Sequence, residues 1–331
     1  MSIPKIIHYC WLSGDPYPND VKRCIDSWHK YMPDYEFKLW DMKSFDVSKR
    51  KYTSEALSKK KYAFVSDVVR LYALYTEGGI YLDSDIEVYK SFDPLLENPA
   101  FSCIESGGRF AAWIMASEPG NPLFKELLSY YDDKSFLRED GFMDLTPNTI
   151  PTTRVLSNYG MLPVNRLQRL NHITIYPEEY FCPKNPWTGS VKITENTYAM
   201  HLFAGAWNDT AREDMKFFGS VSDYVTKLIE KEKITREKPC YIFGTGTVGR
   251  LVFEALCMNS CEPRGFIVTE RDAAWKDIDG IPIYEISECN DEIKKSDILV
   301  SVLPKGQKGI VDSLKSNCFK KMICIGEDFD R

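Results

Sequence analysis

Two aspartates separated by one residue are the strongest chemical signal in the sequence. Asp83 and Asp85 end the run I-Y-L-D-S-D, so two carboxylates follow an apolar segment. Desolvating two like charges side by side is costly unless a cation lies between them. Mn2+ and Mg2+ prefer oxygen ligands and commonly join carboxylates to the phosphates of a substrate. The pair therefore predicts a divalent cation site that neutralises a departing diphosphate; a solvated turn with two surface acids is the alternative.

An acid and a base spaced three residues apart precede that pair. Asp67 and Arg70 lie in the apolar stretch A-F-V-S-D-V-V-R-L-Y-A-L-Y, and this spacing puts both on one side of a helix. One interpretation is a buried ion pair that serves packing alone. The other is a functional site, because the same segment leads directly to the two aspartates. The full string, S-D-x-x-R-x-x-x-L-x-x-x-G-G-I-Y-L-D-S-D, is far more specific than either half.

The elements that must position these residues follow an α/β pattern. An apolar strand at Pro4–Trp11 precedes a helix and a second strand at Tyr35–Trp40. Ser54–Glu77 has helical periodicity and ends at Gly78-Gly79. The strand that begins at Ile80 then carries the two aspartates at its end, where ligands of open α/β sheets gather.

A charged segment divides the chain. The stretch K-E-K-I-T-R-E-K follows Glu230 without a core-facing period, and 331 residues exceed the usual size of one core. We therefore predict a first domain over residues 1–232 and a second over 238–331. Strand candidates in the second domain are Tyr241–Phe243, Gly265–Val268, Ile298–Val302 and Met322–Ile325.

Composition and charge argue against several other classes of protein. A net charge of -6, without a basic run interleaved with aromatics, predicts no nucleic-acid partner. No stretch approaches the roughly 20 apolar residues of a membrane span, and the N-terminus lacks a secretory signal, so we expect a cytoplasmic protein. The ten cysteines contain no C-x-x-C pair and predict free thiols, and the four histidines suggest no structural zinc site.

The string from Ser66 to Asp85 resembles glycosyltransferase family 32, the D-x-D sugar transferases that include capsular polysaccharide enzymes, yeast initiating mannosyltransferases and glucosylating clostridial toxins. P-K-I-I-H-Y-C-W-L-S-G is similar to the family's opening strand, and M-H-L-F-A-G-A-W to its closing element. I-Y-P-E-E-Y-F-C-P is similar to another family segment. The resemblance covers about residues 1–210 in ordered pieces.

The resemblance implies a nucleotide-diphospho-sugar transferase fold of the GT-A type and transfer with retention of anomeric configuration. Asp67, Arg70, Asp83 and Asp85 would form the catalytic set. The first two would contact the donor sugar and ribose. Asp83 would contact the donor beside the metal, and Asp85 would be the direct metal ligand.

The resemblance also implies further substrate contacts. Trp11 would stack on the donor base, with an aromatic core residue as the alternative. His201 and Trp207 would cover the diphosphate, although a satisfied buried histidine is an equally open interpretation of His201. Thr146 and Asn148, which flank a proline in a loop, are placed near the acceptor.

A second glycine motif lies in the C-terminal domain. Gly244, Gly246 and Gly249 follow a strand and open a helix, and Glu270 lies where a ribose-binding acid belongs. This pattern predicts a small Rossmann-like, doubly wound domain with a nucleotide-like site. The segment is short for a six-strand dinucleotide fold and has no evident partner for hydride chemistry. Packing glycines and a degenerate or regulatory binding module are therefore both open.

The combined prediction is a retaining, metal-dependent hexosyltransferase of polysaccharide biosynthesis. UDP-galactose or UDP-glucose is the expected donor, with GDP-mannose as the alternative, and Mn2+ or Mg2+ is the expected cofactor. The expected acceptor is a saccharide or a lipid-linked oligosaccharide, and the latter would bring the protein to the inner face of the membrane. An NAD-dependent oxidoreductase centred on the second glycine motif is the competing hypothesis.

Overall fold

The computed structural model describes residues 2–105, 108–138, 143–162, 164–186, 189–204, 211–235, 238, 240–271, 276–278 and 280–326. Strands and helices are numbered in chain order. The strands of the first part are β1 (Ile6–Cys10), β2 (Glu36–Trp40), β3 (Gly79–Leu82), β4 (Ile86–Val88), β5 (Ala100–Glu105), β6 (Arg109–Phe110), β7 (Ile114–Ser117), β8 (Gln168–Arg169), β9 (Thr174–Tyr176) and β10 (Ala199–His201).

The helices of the same part are α1 (Asn19–Tyr31), α2 (Lys51–Ser58), α3 (Tyr62–Glu77), α4 (Pro122–Ser129), α5 (Thr149–Asn158), α6 (Glu178–Phe181) and α7 (Ala211–Glu232). The C-terminal part contains β11 (Cys240–Phe243), α8 (Thr247–Met258), β12 (Gly265–Val268), β13 (Asp277–Ile278), β14 (Ile281–Glu285), α9 (Asp291–Lys295), β15 (Asp297–Val300), α10 (Pro304–Ser316) and β16 (Lys321–Cys324).

The first part is built on a mixed sheet with the strand order β2-β1-β3-β7-β5-β9-β8, in which β6 pairs with β5. β1 runs parallel to both β2 and β3, whereas β7 runs antiparallel to β3 and β5. β4 and β10 form a separate antiparallel pair. Hydrophobic clusters that contain helical residues lie on the two faces of the large sheet. The predicted α/β class is confirmed for this part.

Helix α3 and strand β3 bring the two acidic motifs together. α3 is almost continuously buried from Phe64 to Leu74, in agreement with the apolar stretch in the sequence. The helix ends at Gly78, which has φ 70, and its amide donates to the Leu74 carbonyl at 3.1 Å. A Cβ on Gly79 would lie 2.7 Å from the Ile6 carbonyl oxygen, so only glycine lets β3 start this close to β1.

The prediction of one helix over Ser54–Glu77 is wrong, because two helices occupy this segment. α2 ends at Ser58, Lys60 has φ 56, and α3 begins at Tyr62. Three consecutive lysines, 59–61, contribute no apolar side chain to the buried stripe, and a left-handed residue ends a helix.

The C-terminal part has a six-stranded sheet with the order β13-β14-β12-β11-β15-β16. All neighbouring strands are parallel except β13 and β14. The strand order therefore reverses between β11 and β15, which is the switch point of an open parallel sheet. α7 and α8 supply the apolar cluster on one face, and α9 and α10 supply side chains to the other. The expected doubly wound arrangement is present, with six strands despite the short segment.

Helix α7 packs with the C-terminal sheet. Val221, Tyr224, Val225 and Leu228 lie in the same cluster as residues of β11 and α8, and the Tyr224 hydroxyl donates to the Cys324 carbonyl at 2.9 Å. The predicted first domain, 1–232, would include this helix. The domain boundary itself stays a prediction.

The structure also bears on the cysteines and on the length and polarity of the helices. None of the ten cysteines, all of which lie in the described part of the chain, forms a disulfide. Within that part, every helix is too short or too polar to cross a bilayer.

We predict that Gly249→Ala destabilises the protein far more than Gly246→Ala. A Cβ on Gly249 would lie 2.0 Å from the Gly244 carbonyl oxygen, whereas Gly246 has nothing within 4 Å. Overpacking against backbone costs about 1–3 kcal/mol or more, and the change at Gly246, the N-cap of α8, costs less than about 1 kcal/mol. Urea unfolding of both variants measures the difference; equal losses would contradict the packing role of Gly249.

Candidate functional site

The guanidinium of Arg70 is the centre of a buried polar cluster. Its Nε donates to the Ser66 carbonyl at 3.1 Å, and its Nη1 donates to the Ala112 carbonyl at 2.6 Å. Its Nη2 lies 3.2 Å from Asp67 Oδ1 and 3.3 Å from Asp83 Oδ1. The same group lies over the Tyr81 ring, 4.7 Å from the centroid. Arg70 therefore ties α3 to both the end of β3 and the segment before β7.

Asp67 is held from two sides. Arg70 approaches one of its oxygens, and Asn148 Nδ2 donates to the same oxygen at 2.6 Å. Asp67 is 8 % exposed, and burial raises the pKa of its carboxyl to about 7 against the opposing effect of Arg70. The structure thus brings Asn148, assigned to the acceptor loop from sequence, into direct contact with the Asp67–Arg70 pair.

Asp83 lies at the carboxyl end of β3. Its amide donates to the Trp113 carbonyl at 2.9 Å, and Tyr81 Oη donates to Asp83 Oδ1 at 2.9 Å. Burial raises the pKa of the Asp83 carboxyl, the charge of Arg70 lowers it, and the nearby Asp85 raises it again. This carboxyl group is therefore in an environment that favours an added positive charge.

Asp85 is enclosed by the segment that follows β10. His201 Nε2 lies 3.1 Å from Asp85 Oδ1, and the Ala204 amide donates to Oδ2 at 3.0 Å. Phe203, between them, has φ 55, so a left-handed residue turns the chain back toward the carboxylate. Burial raises the pKa of Asp85, but the charge and hydrogen bond of His201 and the Ala204 amide outweigh it and bring the pKa to about 2. Asp85 is an anion at neutral pH.

Asp83, Asp85 and His201 form a candidate metal centre. One ligand atom from each residue lies within 4.8 Å of the others. Two carboxylate oxygens and one imidazole nitrogen are a chemically suitable donor set for a divalent cation, and an ionised Asp85 is ready to bind one. The sequence assigned His201 to the diphosphate; the structure brings it to the metal-ligand pair as well.

Three further residues were predicted to contact the substrates: Trp11, Thr146 and Trp207. Trp11 follows β1 at the same edge of the sheet, where its Nε1 donates to the Asp15 carbonyl at 2.6 Å and its ring meets Tyr17 edge-on. The Thr146 backbone amide donates a hydrogen bond to Asp144 Oδ1 at 3.1 Å. Trp207 lies outside the described residues. The roles of these three residues stay predictions.

Glu105 and Trp113 join the site without having been recognised in the sequence. Trp113 Nε1 donates to Glu105 Oε2 at 3.1 Å, and the Trp113 ring lies 4.7 Å from that of His201. Burial raises the pKa of the Glu105 carboxyl, while the nearby Arg109 lowers it. Neither residue belongs to a recognisable motif; only the pairing of β5, β7 and β3 places them beside His201.

The C-terminal glycine turn lies at the switch point of its sheet. Gly244 has φ 105, and its amide donates to the Ile267 carbonyl at 2.9 Å. Glu270 is exposed two residues beyond the end of β12, the strand beside β11. The turn and the acid therefore lie at one edge of the sheet, as predicted. Whether they bind a ligand stays a prediction.

Comparison with known proteins gives a family match for the segment that contains the two acidic motifs. Residues 18–102 match the family model described as a glycosyltransferase sugar-binding region containing a DXD motif. This region includes α3, β3 and the two aspartates. The predicted resemblance to D-x-D glycosyltransferases is confirmed for this region, which contains the D-S-D sequence of Asp83 and Asp85.

Several of the similar curated proteins come from fungi. The chain is 32% identical over 134 residues to inositol phosphoceramide mannosyltransferase 3 of Schizosaccharomyces pombe, covering 38% of this chain and 36% of that protein. It is 26% identical over 213 residues to mannosyl phosphorylinositol ceramide synthase SUR1 of Saccharomyces cerevisiae, covering 61% and 49%. The chain thus spans between a third and a half of the length of these relatives.

Among solved structures, the chain is similar to the PaToxG glycosyltransferase, with 22% identity, 47% of this chain and 69% of that chain covered, and a TM-score of 0.35. It is also similar to galactosyltransferase LgtC in complex with donor and acceptor sugar analogs, with 13% identity, 63% and 94% coverage, and a TM-score of 0.32.

We predict that Arg70→Ala lowers the free energy of unfolding by about 3–5 kcal/mol, because it removes the charged partner of the buried Asp67 and of the partly buried Asp83. Arg70→Lys, which keeps the charge but cannot contact Ser66, Ala112 and both acids at once, should recover only part of this loss. The control is Arg264→Ala, which removes an exposed ion pair with Glu292 and should cost less than about 1 kcal/mol. Denaturant unfolding measures all three; a loss at Arg70 no larger than at Arg264 would contradict the central role of the guanidinium.

Proposed function

We propose that the chain is a metal-dependent glycosyltransferase that transfers a hexose from a nucleoside diphosphate sugar to a hydroxyl group of an acceptor. The observation that carries the proposal is the contact between the candidate metal centre and the Asp67–Arg70 pair. A possible ligand set of Asp83, Asp85 and His201 lies directly beside the buried Asp67–Arg70 pair. A solvated turn with two surface acids would not need the buried pair of Asp67 and Arg70 in contact with it.

The proposed chemistry assigns a role to each group. When bound, the cation would neutralise the diphosphate as the bond to the sugar breaks. Asp83 and Asp85 would hold it with His201 as a nitrogen ligand, and Mn2+ or Mg2+ is the expected ion. Asp67 and Asn148 would present an oxygen and an amide to the donor sugar. Retention of configuration rests on the family resemblance alone.

The relatives change which donor sugar we favour. UDP-galactose or UDP-glucose was expected from the sequence, with GDP-mannose as the alternative. Both fungal relatives described above carry mannosyl in their names, so we favour a mannosyl donor. The acceptor we propose is a saccharide or a lipid head group, as in polysaccharide or glycolipid assembly. A lipid-linked acceptor would bring a cytoplasmic protein to the inner membrane surface.

We predict that a nucleoside diphosphate binds only in the presence of Mn2+ and Asp85. Isothermal titration of GDP, UDP and NAD into the protein, with Mn2+ or with EDTA, should give metal-dependent binding of one diphosphate. Asp85→Asn should weaken it on the order of 100-fold, because losing a ligand costs at least as much as losing an outer partner. Asp20→Asn, a change in an exposed acid of α1, is the control.

Failure of both diphosphates to bind would overturn the transferase proposal. Binding of NAD that is unaffected by Asp85→Asn would instead support the oxidoreductase hypothesis centred on Gly244, Gly246 and Gly249.

We predict that GDP-mannose is consumed faster than UDP-glucose or UDP-galactose when the protein, Mn2+ and donor are incubated with or without sugar acceptors. Release of the nucleoside diphosphate measures turnover, and water can serve as a slow acceptor. Asp85→Asn provides the background for each donor. Faster release of UDP from either UDP-hexose would restore the original sequence prediction and contradict the mannosyl assignment.

A further inference from the structure

A half-buried lysine lies behind the segment that encloses Asp85. Lys184 Nζ donates to the Leu202 carbonyl at 2.7 Å. The amide of the same leucine donates to the Asp85 carbonyl at 3.0 Å, and its neighbours His201 and Ala204 bond the Asp85 carboxylate. Hydrogen bonds through the Leu202 backbone therefore connect the ammonium group to the candidate metal centre.

Lys184 has no acidic partner in the part of the chain that the structure describes. Among the described residues, no carboxylate oxygen lies within 4.0 Å of its Nζ, whereas Arg70 is shared between Asp67 and Asp83. An ammonium group has three N–H donors, and the Leu202 carbonyl accepts only one. A partly buried charge of this kind is most stable with an anion beside it.

The proposed reaction supplies such an anion. A departing nucleoside diphosphate carries more negative charge than one divalent cation removes, so a further positive group beside the metal would stabilise it. Lysine is a common binder of phosphate and acts as a compact point charge. We propose that Lys184 binds the phosphate oxygens of the leaving diphosphate, as the cation next to the metal centre. This inference rests on the proposed function.

A purely structural role for Lys184 is the competing explanation. In that case its hydrogen bond to Leu202 would only hold residues 201–204 in place around Asp85. Phosphate binding requires the positive charge of Lys184, whereas the structural role requires only a hydrogen-bond donor. The two explanations also differ in the ligand affected, because a misplaced segment would weaken every metal-dependent ligand, whereas a lost phosphate contact weakens diphosphates most.

The test compares three variants by titration calorimetry. Lys184→Gln keeps an N–H donor but removes the charge, and Lys184→Arg keeps the charge. Lys90→Gln is the matched control, because Lys90 also donates to a backbone carbonyl, that of Glu195, and lies over the Tyr198 ring. Each protein is titrated with UDP, GDP and the corresponding monophosphates in the presence of Mn2+, and its thermal unfolding is recorded.

We expect Lys184→Gln to weaken binding of the diphosphate that the unaltered protein binds by about tenfold or more, the effect of losing one hydrogen bond to a charged group. Binding of the monophosphate should change far less, Lys184→Arg should recover most of the affinity, and Lys90→Gln should change neither. Unchanged diphosphate binding, or equal losses for both nucleotides, would overturn the inference while leaving the proposed function intact. If the unaltered protein binds neither diphosphate, the proposed function fails, and this inference fails with it.

Discussion

The buried guanidinium of Arg70 is the interaction on which the first site depends. It contacts the backbone of its own helix, the segment before β7 and two carboxylates from different elements. A planar group with five donors in a fixed geometry can satisfy all of these partners at once. Without it, Asp67 and Asp83 would be neighbouring carboxyl groups with no positive charge between them, and the strand end that carries Asp83 would lose its ion pair with α3.

The glycines before β3 make this arrangement possible. Gly78 ends α3 in a left-handed conformation, and Gly79 lets β3 approach β1 without a side chain between them. The short connection delivers Asp83 opposite Arg70 rather than a turn away from it. Asp85, two residues later, lies beyond the end of the large sheet and is held by another part of the chain. The site is thus rigid on one side and assembled from a distant segment on the other.

The sequence predicts the local half of this site better than the distant half. Residues 66–85 lie on one helix, one turn and one strand, so spacing alone places Asp67, Arg70 and Asp83 together. The contact of His201 with Asp85 spans 116 positions and depends on the pairing of β10 with β4. Lys184 and Trp113 gave no signal, because a single lysine or tryptophan has no spacing pattern to read.

The same contrast holds for the fold. Strong apolar runs predict β1, β11 and β12 to within one or two residues. The break between α2 and α3 was missed because helical periodicity continues on both sides of the lysines. The strand order of the C-terminal sheet depends on crossover connections that no local pattern contains.

The DXD turn connects two different sheets, and this has a mechanical consequence. Asp83 follows the last residue of β3 in the large sheet, and Asp85 precedes β4, which pairs only with β10. An ion bound by both aspartates would link the end of the large sheet to the β4–β10 pair. It would therefore resist any change in the angle between the two sheets. The angle between the two sheets and the occupancy of the metal centre would then be coupled to each other.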